Sequence, residues 1–199
     1  MEPELGFIDQ VSELSHQNVR RCYYCLRCTA GCPSAYAMGA GPAQMLKMVQ
    51  LGQKDALLRS AGIWLCIGCE TCGTRCPNQI HAGAVIDALR QIAVAEKVTP
   101  GEKKVASLHQ AFMDNIRVFG RLHELTMLME YKVLSLDLPS DLDMGLDMFR
   151  KGKIEILPKR IKGTGQIGKL YSLMGDRASR LSTYLRLLKP NVRRRRELR

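Results

Sequence analysis

Two stretches of the sequence, RCYYCLRCTAGCP at residues 21–33 and LCIGCETCGTRCP at residues 65–77, share one spacing of cysteines. Each reads C-x2-C-x2-C-x3-C-P, and the second copy starts 44 residues after the first. Together they contain all eight cysteines of the 199-residue chain. Each ends in a proline, which fixes φ and helps to turn the chain into the next element. The fold is therefore expected to be organised around two cysteine loops.

This spacing is that of a bacterial ferredoxin run, in which three cysteines hold one 4Fe–4S cluster and the fourth ligates the other cluster. Steps of three residues wrap a short loop around three corners of a cubane, and the fourth thiolate then points away. The sequence thus predicts two 4Fe–4S clusters with crossed ligands. Cluster 1 is expected on Cys22, Cys25, Cys28 and Cys76, and cluster 2 on Cys66, Cys69, Cys72 and Cys32.

Two other uses of the cysteines remain open from spacing alone, and neither is favoured. Four disulfides would need an oxidising compartment. Two zinc sites could use the C-x2-C pairs, but they would not require the third cysteine or the C-P step. Because cysteine supplies every predicted cluster ligand, no iron is left open to a substrate, which favours electron transfer and no catalytic residue on this chain.

Charge is distributed unevenly along the chain. Residues 1–150 carry 15 basic and 16 acidic side chains, whereas residues 151–199 carry 15 basic and 3 acidic ones. The start of the chain is acidic and lacks an apolar signal region, and no apolar run is long enough to cross a bilayer. These features predict a cytoplasmic protein without a membrane anchor, and a basic C-terminal quarter that calls for an acidic partner.

Hydrophobic periodicity predicts a mainly all-α fold, an α-helical ferredoxin with two cluster-binding loops followed by a helical C-terminal extension. Residues 1–99 are expected to form the ferredoxin domain, and residues 100–199 a docking extension with a basic tail. Within the first, helices are predicted over 8–19, 42–53, 54–62 and 82–97, with Pro42 at a helix start and Gly62 at a helix stop.

In the extension, apolar steps of three or four residues from 105 to 136 predict one long helix. Further amphipathic segments are predicted at 140–151 and 167–188, with a glycine-rich loop at 157–168 between them. That loop resembles a nucleotide-binding fingerprint only superficially, because no strand precedes it. The four histidines and Trp64 are interpreted as surface or packing residues, and the tail at 192–198 as solvated or as a contact to an acidic partner.

Taken together, RRCYYCLRCTAGCP, GIWLCIGCETCGTRCP and the downstream KGTGQIGKLYSLMG resemble the iron–sulfur electron-relay subunit of heterodisulfide reductase over roughly residues 5–190. The resemblance implies an electron relay through two cubanes, from a flavin-containing, bifurcating subunit to the catalytic subunit of that enzyme. The catalytic subunit would reduce the heterodisulfide of coenzyme M and coenzyme B. A hydrogenase or formate dehydrogenase module would supply the electrons, and the host would be an anaerobe, a methanogen.

Two alternatives stay open beside this resemblance. The chain could be an equivalent iron–sulfur relay subunit of another reductase or dehydrogenase complex, since the cysteine runs alone do not separate these families. More remotely, it could be a cluster-bearing regulator that binds nucleic acid through its basic tail, although no recognisable reading motif supports that role. The favoured interpretation has protein partners, no nucleic acid and no membrane.

Overall fold

The computed structural model describes residues 4, 6–136, 142–153, 157–158 and 161–173. Within these ranges the regular structure is helical and contains no strand, which confirms the predicted fold class. The chain divides into two compact units, Met1–Ala111 with Glu130–Ser140, and Phe112–Met129 with Asp141–Arg199. The division into folding domains at residues 99 and 100 stays a prediction.

The first unit contains seven short helices before residue 100. They are α1 (Phe7–Ser15), α2 (Arg27–Ala30), α3 (Pro42–Gln50), α4 (Lys54–Leu58), α5 (Gly62–Leu65), α6 (Thr71–Thr74) and α7 (Ala82–Ala95). A 3-10 turn at Val19–Arg21 leads into the first cysteine loop. The predicted helices at 8–19, 42–53, 54–62 and 82–97 are therefore confirmed, each with an end that lies earlier in the chain.

The core of this unit forms where α1 and α3 pack against the longest of these helices, α7. Val85, Ile86 and Leu89 of α7 are buried at helical spacing, and Phe7 of α1 and Met45 of α3 are fully buried with them. Two of the eight cysteines, Cys28 and Cys72, belong to the same buried cluster. The helices thus enclose one apolar core on which both cysteine loops rest.

Helix α3 begins as predicted, but Gly62 plays a different role from the predicted helix stop. Pro42 occupies the first turn of α3, and Thr29 Oγ1 accepts a hydrogen bond from the Ala43 amide at 2.9 Å. Gly62 starts α5 instead, and a Cβ there would meet Met45 Cε and, at 2.9 Å, the Ala40 carbonyl oxygen. The glycine is thus explained by close packing, which its position in the sequence does not reveal.

The predicted long helix from 105 to 136 is wrong, because the structure has two helices there. Helix α8 spans Lys103–Phe119 and α9 spans Glu124–Ser135. Gly120 ends α8 with φ +75°, and its amide still donates to the Ile116 carbonyl at 2.8 Å. The His123 amide then donates to Asn115 Oδ1 at 2.6 Å just before α9. The apolar periodicity runs on through the break because it does not sense a left-handed residue.

Two further helices follow, α10 (Leu142–Arg150) and α11 (Thr164–Leu173). The first confirms the amphipathic segment predicted at 140–151. The loop predicted at 157–168 is wrong from Thr164 onward, since Gly163 at φ +94° is followed directly by α11. The remainder of the predicted 167–188 segment and the 192–198 tail lie outside the described residues. Among those that are described, no helix is long and apolar enough to cross a membrane.

Candidate iron–sulfur centre

The two cysteine loops have the same backbone conformation at equivalent positions. Cys22 has φ −72° and ψ 118°, and Cys66, 44 residues later, has φ −67° and ψ 120°. The residues after the second cysteine of each run, Leu26 and Glu70, are both left-handed, at φ 64° and φ 57°. The shared spacing of the two runs therefore corresponds to a shared loop fold.

A second left-handed position precedes the second cysteine of each run. It is occupied by Tyr24 at φ 63° in the first loop and by Gly68 at φ 67° in the second. A non-glycine residue in this region carries backbone strain of roughly 1 kcal/mol or more. The first loop is thus held in a conformation that its own residues do not favour, whereas the second is relaxed at this point.

The third cysteine of each run lies on a short helix, and these two helices contact each other. Helix α2 carries Cys28 and α6 carries Cys72, and both side chains are 8% exposed. Burial is the main cause that raises the pKa of both thiols, and the negative charge of Cys22 raises that of Cys28 further. Buried thiols of this kind stay protonated until a metal replaces the proton.

A pocket of about 330 Å³, part of it open to solvent, lies against the second loop and joins cysteines from both runs. Cys66, Cys69 and Cys72 line it from the second run, and Cys32 lines it from the first. Burial, and to a smaller extent the charge of Cys32, raise the pKa of Cys66. The structure therefore brings together the four cysteines that the sequence analysis assigned to cluster 2.

The other four cysteines are connected through fewer contacts. The charge of Cys22 acts on Cys28. Partial desolvation and then the charge of Cys25 raise the pKa of Tyr23, with a weaker contribution from Cys76. Cys76 of the second run thus lies near the first loop, where the predicted ligand set of cluster 1 needs it.

The donor chemistry of both sets suits iron–sulfur clusters. All eight side chains are free thiols, and soft thiolates are the usual ligands of such clusters. A hydrogen bond with Thr71 lowers the pKa of Cys69, which favours the thiolate that a metal binds. Within the described ranges, no three His, Cys, Asp or Glu side chains are grouped to hold one metal ion together.

Glycines make room for charged side chains beside the second loop. A Cβ on Gly73 would lie 2.6 Å from His81 Nδ1, and a Cβ on Gly83 would meet a carboxylate oxygen of Glu70. His81 Nδ1 and Glu70 Oε2 are 3.5 Å apart, and both side chains are about half exposed. His81 lies at the start of α7 and is therefore part of the loop's surroundings, in keeping with a packing role.

Two residues that sequence reasoning missed hold the start of each loop. Gln50 Nε2 donates to the carbonyl oxygens of Val19, at 3.0 Å, and Cys22, at 2.8 Å. Arg90 Nε donates to the Ile63 carbonyl at 2.5 Å, and Arg90 Nη2 donates to the Cys66 carbonyl. No motif signals them, because they act on backbone atoms and lie 28 and 24 residues beyond their cysteines.

Comparison with known proteins agrees with this geometry. Residues 21–81 match the family model of a 4Fe–4S dicluster domain. The relay-type iron–sulfur subunit of CoB–CoM heterodisulfide reductase from Methanopyrus kandleri is 30% identical over 95 residues, which cover 44% of this chain and 50% of that protein. An iron–sulfur subunit of the same name from Methanocaldococcus jannaschii is 35% identical over 110 residues, 55% of this chain and 59% of that protein.

A third relative is the equivalent subunit of the ferredoxin:CoB–CoM heterodisulfide reductase from Methanosarcina acetivorans. It is 37% identical over 78 residues, which cover 39% of this chain and 31% of that protein. The chain spans about half the length, or less, of these curated relatives. Residues 21–81 thus match a 4Fe–4S dicluster domain, and over about half of its length the chain is a homologue of these iron–sulfur subunits of heterodisulfide reductases.

Proposed function

We propose that this chain is an electron-transfer subunit that relays electrons through two 4Fe–4S clusters within an oxidoreductase complex of the heterodisulfide reductase type. The observation that carries the proposal is the pocket that Cys32 of the first run shares with Cys66, Cys69 and Cys72 of the second. Crossed ligation of this kind is the hallmark of the two-cluster ferredoxin run. When bound, the clusters supply one-electron transfer.

In this proposal the chain's own residues bind and shield the clusters. Cys22, Cys25, Cys28 and Cys76 hold cluster 1, and Cys66, Cys69, Cys72 and Cys32 hold cluster 2. Side chains of the core, among them Ile86 in the wall of the second pocket, limit the access of water, which is one determinant of cluster potential. None of the eight cysteines is left for thiol–disulfide exchange, so reduction of a disulfide belongs to another subunit.

The proposed electron path enters from a flavin-containing, bifurcating subunit of the complex. It leaves to the catalytic subunit that reduces the CoM–CoB heterodisulfide. The names of the relatives support this substrate, since all three are subunits of CoB–CoM heterodisulfide reductases. A hydrogenase or formate dehydrogenase module is the proposed electron source. The free thiols favour a reducing compartment, and we place the assembly in the cytoplasm.

A second candidate is an equivalent relay subunit in a different reductase or dehydrogenase complex. The observation that keeps it is the limited extent of the similarity, which covers 39–55% of this chain in the three relatives. The cysteines would keep their role in that case, and only the catalytic partner would change.

Anaerobic purification of the native protein, with mass identification of bound subunits, tests both levels of the proposal. About eight iron atoms per chain, with the EPR signals of two interacting reduced clusters, are expected. Co-purification of a flavin subunit together with a cysteine-rich disulfide-reducing subunit would identify the first candidate. A different catalytic partner would select the second, and a protein without iron would refute both.

A further inference from the structure

Each cysteine loop is held at its start by a side chain from the helix that follows the same run. Gln50 is the last residue of α3, and its amide binds the carbonyls of Val19 and Cys22. Arg90 lies within α7, and its guanidinium binds the carbonyls of Ile63 and Cys66. Val19 and Ile63 are 44 residues apart, as are Cys22 and Cys66, so the two side chains bind equivalent carbonyls.

The two donors differ in charge. The Gln50 amide is neutral, whereas Arg90 is a permanent cation whose side chain is only 19% exposed. Its Nη1 also pairs with Asp87 Oδ1 at 3.0 Å, but the Asp87 side chain is 60% exposed. Water screens an exposed charge more than a largely buried one. The second loop therefore has a net positive contribution from this pair, and the first loop has no counterpart at the same position.

The other charged side chains near the loops are more exposed. Glu70 lines the second pocket with its side chain 52% exposed, and it lies beside His81. Arg21 and Arg27 flank cysteines of the first loop, and both are exposed. Solvent weakens their effect on a cluster relative to that of Arg90. Arg90 is thus the largely buried full charge that hydrogen-bonds directly to a loop.

A cation beside a cluster favours the reduced state. An all-cysteine cubane carries about −2 when oxidised and gains one further negative charge when it accepts an electron, with no bond made or broken. Positive charge and hydrogen bonding around the ligand sulfurs therefore raise the reduction potential. A neutral amide in the place of the guanidinium would supply the hydrogen bonds without the charge.

We propose that Gln50 and Arg90 are equivalent positioning residues for the two clusters, and that the charge of Arg90 raises the reduction potential of the cluster on Cys32, Cys66, Cys69 and Cys72. The inference rests on the proposed function, since it requires that the clusters be bound. It assigns the difference between the two sites to one pair of side chains that make otherwise matching contacts.

The test is an EPR-monitored redox titration of full-length protein carrying Arg90→Gln, which places the first loop's donor in the second. One of the two midpoint potentials should fall, so that at a fixed ambient potential the reduced-to-oxidised ratio of that cluster drops about tenfold, or about 59 mV for a one-electron couple. The other potential should not move. Asp87→Asn, which leaves the Arg90 contacts to the loop in place, should shift the same potential upward.

Lys47→Gln is the matched control, because it removes the same charge from the exposed face of α3. Potentials that do not move in Arg90→Gln, or that move equally in Lys47→Gln, would overturn the inference. If Arg90→Gln loses a cluster, Asp87→Asn decides the matter, since an upward shift supports the inference and an unchanged potential refutes it. Wild-type protein without iron would refute the proposed function instead.

Discussion

Gly31 and Arg75 occupy equivalent positions in the two cysteine runs, and the side chain of Arg75 lies where a Cβ on Gly31 would be. The Cδ atom of Arg75 is 2.6 Å from that position, and Nε is 2.8 Å from it. Each residue directly precedes the fourth cysteine of its run, Cys32 or Cys76. The two halves therefore meet at the residues before the crossed ligands, and only one of them carries a side chain into this contact.

Gly31→Ala should destabilise this contact by about 1–2 kcal/mol, because the added methyl displaces the Arg75 side chain from its packed position. The Gly31→Ala/Arg75→Ala double variant should recover most of that loss, since the obstructing atoms are removed. Thermal unfolding of the four proteins of the cycle, purified anaerobically, gives the coupling free energy. Additive effects of the two substitutions would show that the contact is not formed.

Exchange of the fourth cysteines tests the crossed ligand sets. Cys32→Ser should alter the cluster on Cys66, Cys69 and Cys72, and should therefore give the EPR changes that Cys72→Ser gives. Cys76→Ser should reproduce the changes of Cys28→Ser in the other cluster. If Cys32→Ser resembled Cys28→Ser instead, each run would hold its own cluster and the crossed assignment would be wrong.

His109 introduces a pH dependence into the first unit. Its ring centroid is 6.2 Å from that of Trp64, and burial first, then the charge of Arg90, lower its pKa, with Asp87 opposing. Because the folded protein favours the neutral imidazole, this stabilising contribution is complete above the unfolded pKa of about 6.5 and is lost as the pH falls below it.

In His109→Phe the melting temperature should therefore fall less than in the wild type when the pH is lowered from about 7.5 to about 5.5. A difference of roughly 2–4 °C between the two pH profiles is expected, which corresponds to about 1 kcal/mol or less for a chain of this size. His16→Phe, at the exposed end of α1, is the matched control. Parallel profiles for wild type and His109→Phe would exclude this residue as the source.

Much of the fold and of the centre could be predicted from the sequence, because both leave a spacing that is readable along the chain. Side chains at helical intervals, such as Val85, Ile86 and Leu89, reveal a buried face. The cysteine runs prescribe the loops, and Cys32 lines the second pocket as the crossed pattern requires.

The features that escaped prediction have physical reasons. The break at Gly120 and the start of α11 at Thr164 depend on single left-handed residues, which a hydrophobic period does not register. Gln50 and Arg90 escaped because they recognise carbonyl oxygens, which every residue possesses. Their residue types differ, and they are 40 residues apart although the loops repeat at 44, so no alignment of the two halves would pair them.

Gln50→Glu isolates the positioning role of the first of these two residues. The carboxylate has the same shape as the amide but cannot donate, so the carbonyls of Val19 and Cys22 would lose both hydrogen bonds and face a negative charge. A loss of about 1–2 kcal/mol in the stability of the loop is expected, and it should speed the release of about half of the iron to a chelator roughly tenfold. Gln44→Glu makes the same chemical change on the exposed face of α3 and should leave the release rate unchanged. Release from Gln50→Glu at the wild-type rate would show that the first loop holds its cluster without this side chain.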